Sequence, residues 1–130
     1  MQRDPFERRR LRVYVAGPIS SNVFEGVQRG LAAGRRMFLD GFAPFVPHFD
    51  AFWWLPDGNW NAYLEYDLEY VAVSDCVYRL DGASKGADLE VDIASQHGIP
   101  VFFESDPGGY DAMLRYAQRL GLAGKQGVTA

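Results

Sequence analysis

Two acidic residues, Asp67 and Glu90, lie at positions where helical spacing directs their side chains toward the protein interior. Each residue of an α-helix is rotated by about 100° from the one before it. On this spacing Asp67, in the helix predicted over 61–74, shares its face with aromatic and aliphatic residues, and Glu90 shares the apolar face of the helix predicted over 86–97. Burying an ionised carboxylate without a partner is costly, so two such residues in a short chain indicate a chemical role.

The two acids suit the cleavage of a bond at an anomeric carbon. Glu90 is expected close to the start of its helix, where the dipole and the free amides lower its pKa and keep it ionised as a nucleophile. Asp67 lies among tyrosine and tryptophan, where desolvation raises a carboxyl pKa and suits the group to protonate a leaving group. Spacing leaves an alternative open, in which Asp67 accepts a tyrosine hydroxyl or caps a helix and Glu90 pairs with an arginine.

Strands that alternate with helices must position these acids. The apolar pattern predicts strands at 11–16, 43–46, 76–80 and 100–103, and helices at 23–40, 61–74, 86–97 and 110–120. Without hairpin signals between the strands, right-handed crossovers are expected, which give a parallel sheet. We therefore predict a single-domain α/β fold, flavodoxin-like or Rossmann-like, with four to five parallel strands and helices on both faces. The domain is expected over 11–121, after a flexible arm at 1–10 and before a flexible tail at 122–130.

The loops after the first and third strands are the predicted ligand-binding edge of this sheet. Ligands of parallel sheets bind at the carboxyl ends of the strands, and loops 17–22 and 81–86 each run directly into a helix N-terminus. His48 follows the second strand and is predicted to lie near the same edge. Three tryptophans nearby either stack on a ring or serve as core or dimer contacts: Trp53, Trp54 and Trp60.

Composition excludes several classes of function. A chain of 130 residues that is 48% hydrophobic forms one domain, and a net charge of -4 argues against binding a nucleic-acid polymer. The only cysteine, Cys76, rules out an internal disulfide and a thiolate zinc cluster, and it fits a reducing compartment. No apolar stretch approaches the ~20 residues of a membrane span, and no signal peptide precedes the first strand, so a soluble cytoplasmic protein is expected.

An ordered set of motifs between residues 11 and 103 resembles the nucleoside 2-deoxyribosyltransferase superfamily. The motifs are Val13-Tyr14-Val15-Ala16-Gly17-Pro18-Ile19, then Asp67-Leu68 with Asp75 further on, then Ser84-x-Gly86-x-x-x-Glu90 with Ala94. The superfamily includes nucleoside 5'-monophosphate N-glycosidases and many uncharacterised phage and bacterial domains. The resemblance implies a homodimer, or a higher homo-oligomer, with sites near the interface and catalysis without a metal or an organic cofactor.

The resemblance also implies roles for particular residues. Glu90 matches the nucleophile at the sugar anomeric carbon, Asp67 matches the acid that assists the departing base, and Tyr14 matches a tyrosine near the catalytic carboxylate. Together with His48, which was placed by its position after the second strand, the predicted substrate-binding residues are Gly17, Pro18, Ile19, Ser20, Ser84 and Gly86.

Departures from the family pattern shape the predicted activity. Transferases for free nucleosides typically carry Asp where this chain has Ser84, and monophosphate hydrolases carry Ser, which favours a phosphorylated substrate. No arginine lies next to Gly17, and no motif identifies the C-terminal polar residue that a neighbouring subunit supplies, although Gln118 and Arg119 are candidates. The sequence therefore predicts an N-glycosidase acting on a small-molecule nucleotide or nucleoside. The alternatives are a base-exchanging 2-deoxyribosyltransferase, a non-catalytic nucleotide-binding or sensing domain and, more weakly, a flavodoxin-like electron carrier.

Overall fold

A computed structural model describes residues 9–18, 23–52 and 60–122 of the chain, and within them four parallel strands form one sheet. The strands are β1 (Arg12–Ala16), β2 (Ala43–Phe45), β3 (Cys76–Arg79) and β4 (Val101–Phe103), and the α-helices are α1 (Val23–Leu39), α2 (Trp60–Ala72), α3 (Lys85–Gln96) and α4 (Gly109–Arg119). A 3-10 helix, Pro47–Phe52, follows β2 where the sequence predicted a loop with one helical turn. The predicted parallel α/β architecture is confirmed.

The strand order is β2-β1-β3-β4, so the chain leaves β2 on one side of β1 and re-enters the sheet on the other. β1 pairs with β2 from Arg12 opposite Ala43, and with β3 from Val13 opposite Cys76. The reversal of strand order falls between β1 and β3. In sheets of this type the carboxyl ends of the two strands at the reversal point form a crevice, which is where the first and third loops meet.

Alternating side chains along β1 divide the core into two layers. Val13 and Val15 face a cluster that includes Met37 of α1 and Met113 of α4. Tyr14 and Ala16 face the other side, where the apolar residues of α2 and α3 cover the sheet: Leu68, Val71, Ala87, Val91 and Ala94. Because a parallel sheet must be covered on both faces, this alternation places the helix that carries Glu90 on the same face as Tyr14.

The end of the N-terminal arm is anchored through Asp75. Arg9 donates to both carboxylate oxygens of Asp75, at 2.5 and 2.7 Å, and the Arg12 amide donates to Oδ2 at 2.7 Å. Asp75, one of the family-like motif residues, therefore fastens the chain before β1 to the start of β3. Residues 1–8 and 123–130 lie outside the described part of the chain, as do Trp53 and Trp54. None of the helices in the described ranges is long and apolar enough to cross a bilayer.

Candidate active site

The Glu90 carboxylate is buried and is hydrogen bonded to a tyrosine from the first strand. Only 5% of Glu90 is exposed, and the Tyr14 hydroxyl, itself in the core, donates to Oε2 at 2.5 Å. Tyr14 projects from the middle of β1 because strand alternation turns it toward α3, and Glu90 projects inward from the second turn of that helix. The hydrogen-bond partner of Glu90 is thus a tyrosine, and not the arginine of the alternative interpretation in which Glu90 has only a structural role.

The pKa of Glu90 departs from the sequence-based prediction. Burial raises the pKa of Glu90 from 4.5 to about 7, and the Tyr14 hydrogen bond and the charge of Arg79 lower it by less. The prediction of a lowered pKa was wrong because Glu90 lies in the second turn of α3, beyond the strongest field of the helix dipole, while desolvation acts on the whole carboxyl group. Near neutral pH the acid and the carboxylate forms of this group are therefore closer in free energy than those of an exposed glutamate.

An aromatic stack adjoins the Tyr14 side chain. Phe45 of β2 stacks on Tyr14 with ring centroids 5.8 Å apart, and Tyr70 of α2 stacks on Phe45, nearly parallel, with ring centroids 4.2 Å apart. Both rings pack against the core cluster that contains Tyr14, and the Phe45 ring contacts the Tyr14 ring directly. Neither Phe45 nor Tyr70 was predicted as part of the site, because their contact depends on strand register and on the packing of α2.

Asp67 lies on α2, which packs against α3 on the same face of the sheet as Tyr14. Asp67 is half-buried, and the next residue, Leu68, packs with the cluster that contains Tyr14. The structure therefore brings the elements that carry the two acids together. That Asp67 protonates a leaving group remains a prediction.

The first and third loops meet at the carboxyl edge of the sheet. A Cβ at Gly17 would lie 2.8 Å from the Cβ of Leu80, so the residue after β1 must be small for the two strand ends to approach this closely. Gly82 has a φ of +113°, and a Cβ there would lie 3.0 Å from Pro18. Two of the other predicted substrate-binding residues, Ile19 and Ser20, lie outside the described residues.

Ser84 has a structural role at the start of α3. Its extended backbone makes it the N-cap, and its hydroxyl accepts a hydrogen bond from the Ala87 amide at 3.1 Å. Helix capping therefore explains a serine at this position. Gly86, in the first turn of α3, is half-buried. Substrate binding by Ser84 and Gly86 remains a prediction.

The His48 side chain is tightly packed in an apolar environment after the end of β2, on the α1 side of the sheet. It is 3% exposed, and a Cβ at Gly30 of α1 would lie 2.8 Å from its Cγ. Burial, with a smaller effect from the nearby Arg29 charge, lowers the pKa of His48 to about 4, so the ring is neutral at physiological pH. Glu90 lies on the other face of the sheet with Tyr14, so the structure does not bring His48 and Glu90 together.

Arg79, the last residue of β3, is a charged residue of the site region that sequence reasoning missed. It is 8% exposed and donates to the backbone carbonyls of Leu80 and Gly82 and to Asp88 Oδ1. The signal in the sequence was an arginine inside an otherwise apolar strand, directly before the predicted site loop.

Comparison with solved structures identifies the class of fold. The chain is similar to a 2-deoxyribosyltransferase from the psychrotolerant bacterium Bacillus psychrosaccharolyticus, with a TM-score of 0.56 and 19% sequence identity over 71% of this chain and 70% of that one. At this identity the likeness establishes a shared α/β fold. No curated protein sequence matches.

The family is established by the sequence match itself. Residues 11–103 match the family described as "Domain of unknown function (DUF4406)", and the chain belongs to that family. The matched range begins directly before β1 and ends with β4, so it includes Tyr14, Asp67 and Glu90. The family description carries no statement about activity.

Proposed function

We propose that this protein is an enzyme that breaks the N-glycosidic bond of a nucleoside or nucleotide and transfers the sugar to an acceptor base. The observation that carries this proposal is the buried Tyr14–Glu90 pair, joined by a 2.5 Å hydrogen bond. A carboxyl group held by a tyrosine in an apolar environment is equipped to act on an anomeric carbon. The fold that this chain shares with a 2-deoxyribosyltransferase supports base exchange in preference to other chemistry.

In the proposed reaction Glu90 is the nucleophile and Asp67 is the acid. With Oε2 of Glu90 engaged by Tyr14, Oε1 attacks the anomeric carbon, while the bond from that carbon to the base nitrogen breaks. The leaving nitrogen takes its electron pair and a proton from the Asp67 carboxyl. In the second half, an acceptor base nitrogen attacks the same carbon, Asp67 takes up the proton, and Glu90 departs as a carboxylate.

Hydrolysis of a nucleoside 5'-monophosphate is the second candidate function, with water in place of the acceptor base. The observation that favours it is Ser84 at the N-terminus of α3, where a neutral hydroxyl and backbone amides suit a phosphate better than a carboxylate would. Because Ser84 also caps the helix, its identity has a structural explanation as well. Transfer is therefore the leading proposal.

The test is a turnover assay on the purified full chain. A panel of 2'-deoxynucleosides, ribonucleosides and their 5'-monophosphates is incubated with and without a second free base, and chromatography follows the released base and the exchanged nucleoside. Base exchange that depends on the acceptor supports a transferase, and base release without an acceptor supports the hydrolase. If no substrate reacts under either condition, the chain is not an enzyme of this class.

The variant Glu90→Gln separates an enzyme from a sensing domain. It keeps the size of the side chain but removes the nucleophilic carboxylate, so turnover should fall by about a thousandfold or more while ligand binding is retained. A sensing domain would bind a nucleotide, give no turnover as wild type, and bind equally well as the variant. Calorimetric titration with the same panel measures the binding.

A further inference from the structure

Arg79 connects the end of β3 to the start of α3 through a single guanidinium group. Nη1 donates to the Leu80 carbonyl, and Nη2 donates to the Gly82 carbonyl and to Asp88 Oδ1, both at 2.9 Å. Leu80 and Gly82 belong to the loop between the two elements, and Asp88 lies in the first turn of the helix. The three contacts hold the loop and the helix start in one arrangement.

The contacts of Arg79 clamp the β3–α3 loop together with two hydrogen bonds from backbone amides: the Asp81 amide donates to Glu104 Oε1 at 2.7 Å, and the Gly82 amide donates to Asp81 Oδ1 at 3.0 Å. Asp81, Gly82 and Ala83 are exposed, and Gly82 takes a positive φ that other residues rarely adopt. A guanidinium is a planar fork whose donors reach several acceptors at once, whereas a lysine ammonium provides one point charge on a flexible stem. The geometry therefore favours arginine at position 79 over any other cation.

The same guanidinium acts on Glu90. Asp88 projects outward with 70% of its side chain exposed, while Glu90 projects into the fold, and the positive charge of Arg79 opposes the effect of burial on the Glu90 carboxyl. The elements that pack against α3 also carry other titratable groups: Arg12 and Tyr14 on β1, Cys76, Tyr78 and Arg79 on β3, and Tyr63, Glu65, Tyr66, Asp67, Glu69 and Tyr70 on α2, while β4 has none. Of these groups, the Tyr14 hydroxyl and the Arg79 charge are the two that favour the ionised form of Glu90.

We propose that Arg79 is a positioning residue for the Glu90 site: its contacts fix the loop and the first turn of α3 that aim the carboxylate, and they hold its positive charge at the start of the helix that carries Glu90. The activity part of this proposal rests on the proposed glycosyl transfer. The charge and geometry parts do not, because both can be measured without a substrate.

The charge part is tested by the titration of Glu90 in the full chain. Carbon-13 labelled glutamate gives carboxyl signals by NMR, and the signal that disappears in Glu90→Gln identifies Glu90. In Arg79→Met the titration midpoint of Glu90 should rise by about one pH unit, because a nearby positive charge is lost. The matched control is Arg35→Met, an exposed arginine on α1, which removes the same charge and should leave the midpoint unchanged. An equal midpoint in Arg79→Met and wild type would overturn the charge role.

The positioning part is tested with Arg79→Lys, which keeps the charge and decides the proposal even where Arg79→Met does not fold. The Glu90 midpoint should stay near the wild-type value, while the buried Ala87 amide, which donates to Ser84 at the start of α3, loses protection in hydrogen exchange because the Arg79 contacts that fix this turn are broken. In the base-exchange assay kcat should fall by about tenfold, with KM changed less. Unchanged exchange and unchanged kcat in Arg79→Lys would overturn the positioning role. Loss of Ala87 protection in a chain without turnover would support the positioning role and contradict only the proposed function.

Discussion

At the scale of single residues, the balance at Glu90 is between burial and two stabilising partners. Burial disfavours the carboxylate, the Tyr14 hydroxyl and the Arg79 charge favour it, and the net result is a pKa of about 7. A group of this kind is poised between its two forms at the pH of a cell, which suits a nucleophile that must also act as a leaving group. The same balance makes Glu90 a source of instability in the folded chain.

The first prediction concerns the stability of Glu90→Gln. The folded-state pKa of Glu90 is raised from 4.5 to about 7, so the folded chain binds this proton more tightly than the unfolded chain between those values, and stability falls as pH rises through that window. The amide carries no charge, so the variant should be more stable than wild type at pH 8, by at most about 3 kcal/mol. Urea unfolding at pH 8 and pH 5 measures the difference.

At pH 5 the buried Glu90 is mostly protonated, so both the wild-type glutamate and the variant glutamine are uncharged in the folded state. The stability advantage of the glutamine should therefore shrink at pH 5. A variant that is less stable than wild type at pH 8 would mean that the Tyr14 hydrogen bond outweighs burial. Such a result would also contradict the direction of the pKa shift.

At the scale of elements, the site depends on how α3 begins and how closely α1 approaches the sheet. Ser84 caps α3 three residues before the Ala87 amide that it binds, and Gly30 of α1 leaves the space that His48 fills. The Ser84 cap joins residues three positions apart, whereas the Gly30–His48 contact joins residues from two different elements. Each contact can be tested by a substitution and a matched control substitution.

The second prediction compares two substitutions of Ser84. Ser84→Ala removes the cap and should lower the free energy of unfolding by about 1 kcal/mol, whereas Ser84→Asp keeps a capping oxygen and should retain most of the stability. If Ser84 also lies against a phosphate, the aspartate should reduce activity on 5'-monophosphates and spare free nucleosides. Equal effects on both substrate types would restrict Ser84 to its capping role.

The third prediction concerns Gly30→Ala. In an ordinary helix this change stabilises by up to about 1 kcal/mol, but here the new Cβ would lie 2.8 Å from His48 Cγ. We expect a net loss of about 1–3 kcal/mol in thermal or urea unfolding, because the imidazole must move from a packed seat. Gly108→Ala, at the N-cap of α4, is the control without a steric clash, since no atom apart from its chain neighbours lies within 4 Å of a Cβ there, and it should cost only roughly a few tenths of a kcal/mol through a poorer cap. If Gly30→Ala were more stable than wild type, the tight packing of His48 against Gly30 would be contradicted.

Most of the elements could be predicted from the sequence because periodicity reports local structure directly. The predicted strand at 76–80 and helix at 86–97 correspond to Cys76–Arg79 and Lys85–Gln96. The inward direction of Glu90 also followed from helical spacing. Features of the site that depend on distant parts of the chain could not be predicted: the Phe45 stack depends on the β1–β2 register, and the raised pKa of Glu90 depends on the depth of burial.

At the scale of the whole molecule, two buried titratable groups oppose each other in their effect on stability. The folded-state pKa of His48 is lowered from 6.5 to about 4, so the unfolded chain binds that proton more tightly and stability is lost as pH falls through this window. Glu90 has the opposite sign between pH 4.5 and about 7. Between about pH 4.5 and 6.5 the two contributions should largely cancel.

The fourth prediction uses this cancellation. In wild type the contributions of these two groups should leave stability nearly level between about pH 4.5 and 6.5, and Glu90→Gln should reveal a rise with pH of about 2–3 kcal/mol caused by His48. Adding His48→Leu, which fills a similar apolar space, should remove that rise. Urea unfolding across the pH range measures all three proteins. A level profile in the single variant would contradict a buried neutral His48.

The central claim, that Glu90 attacks the anomeric carbon of a nucleoside or nucleotide, is tested most directly by trapping the covalent intermediate. A 2'-fluoro-arabinonucleoside slows the second half of such a reaction, because fluorine destabilises the oxocarbenium-like transition state. Mass spectrometry of the digested protein should show one fluorosugar on the peptide that contains Glu90, and none in Glu90→Gln. The contrary result is an adduct on another residue, or an unmodified Glu90 peptide from protein that releases the base.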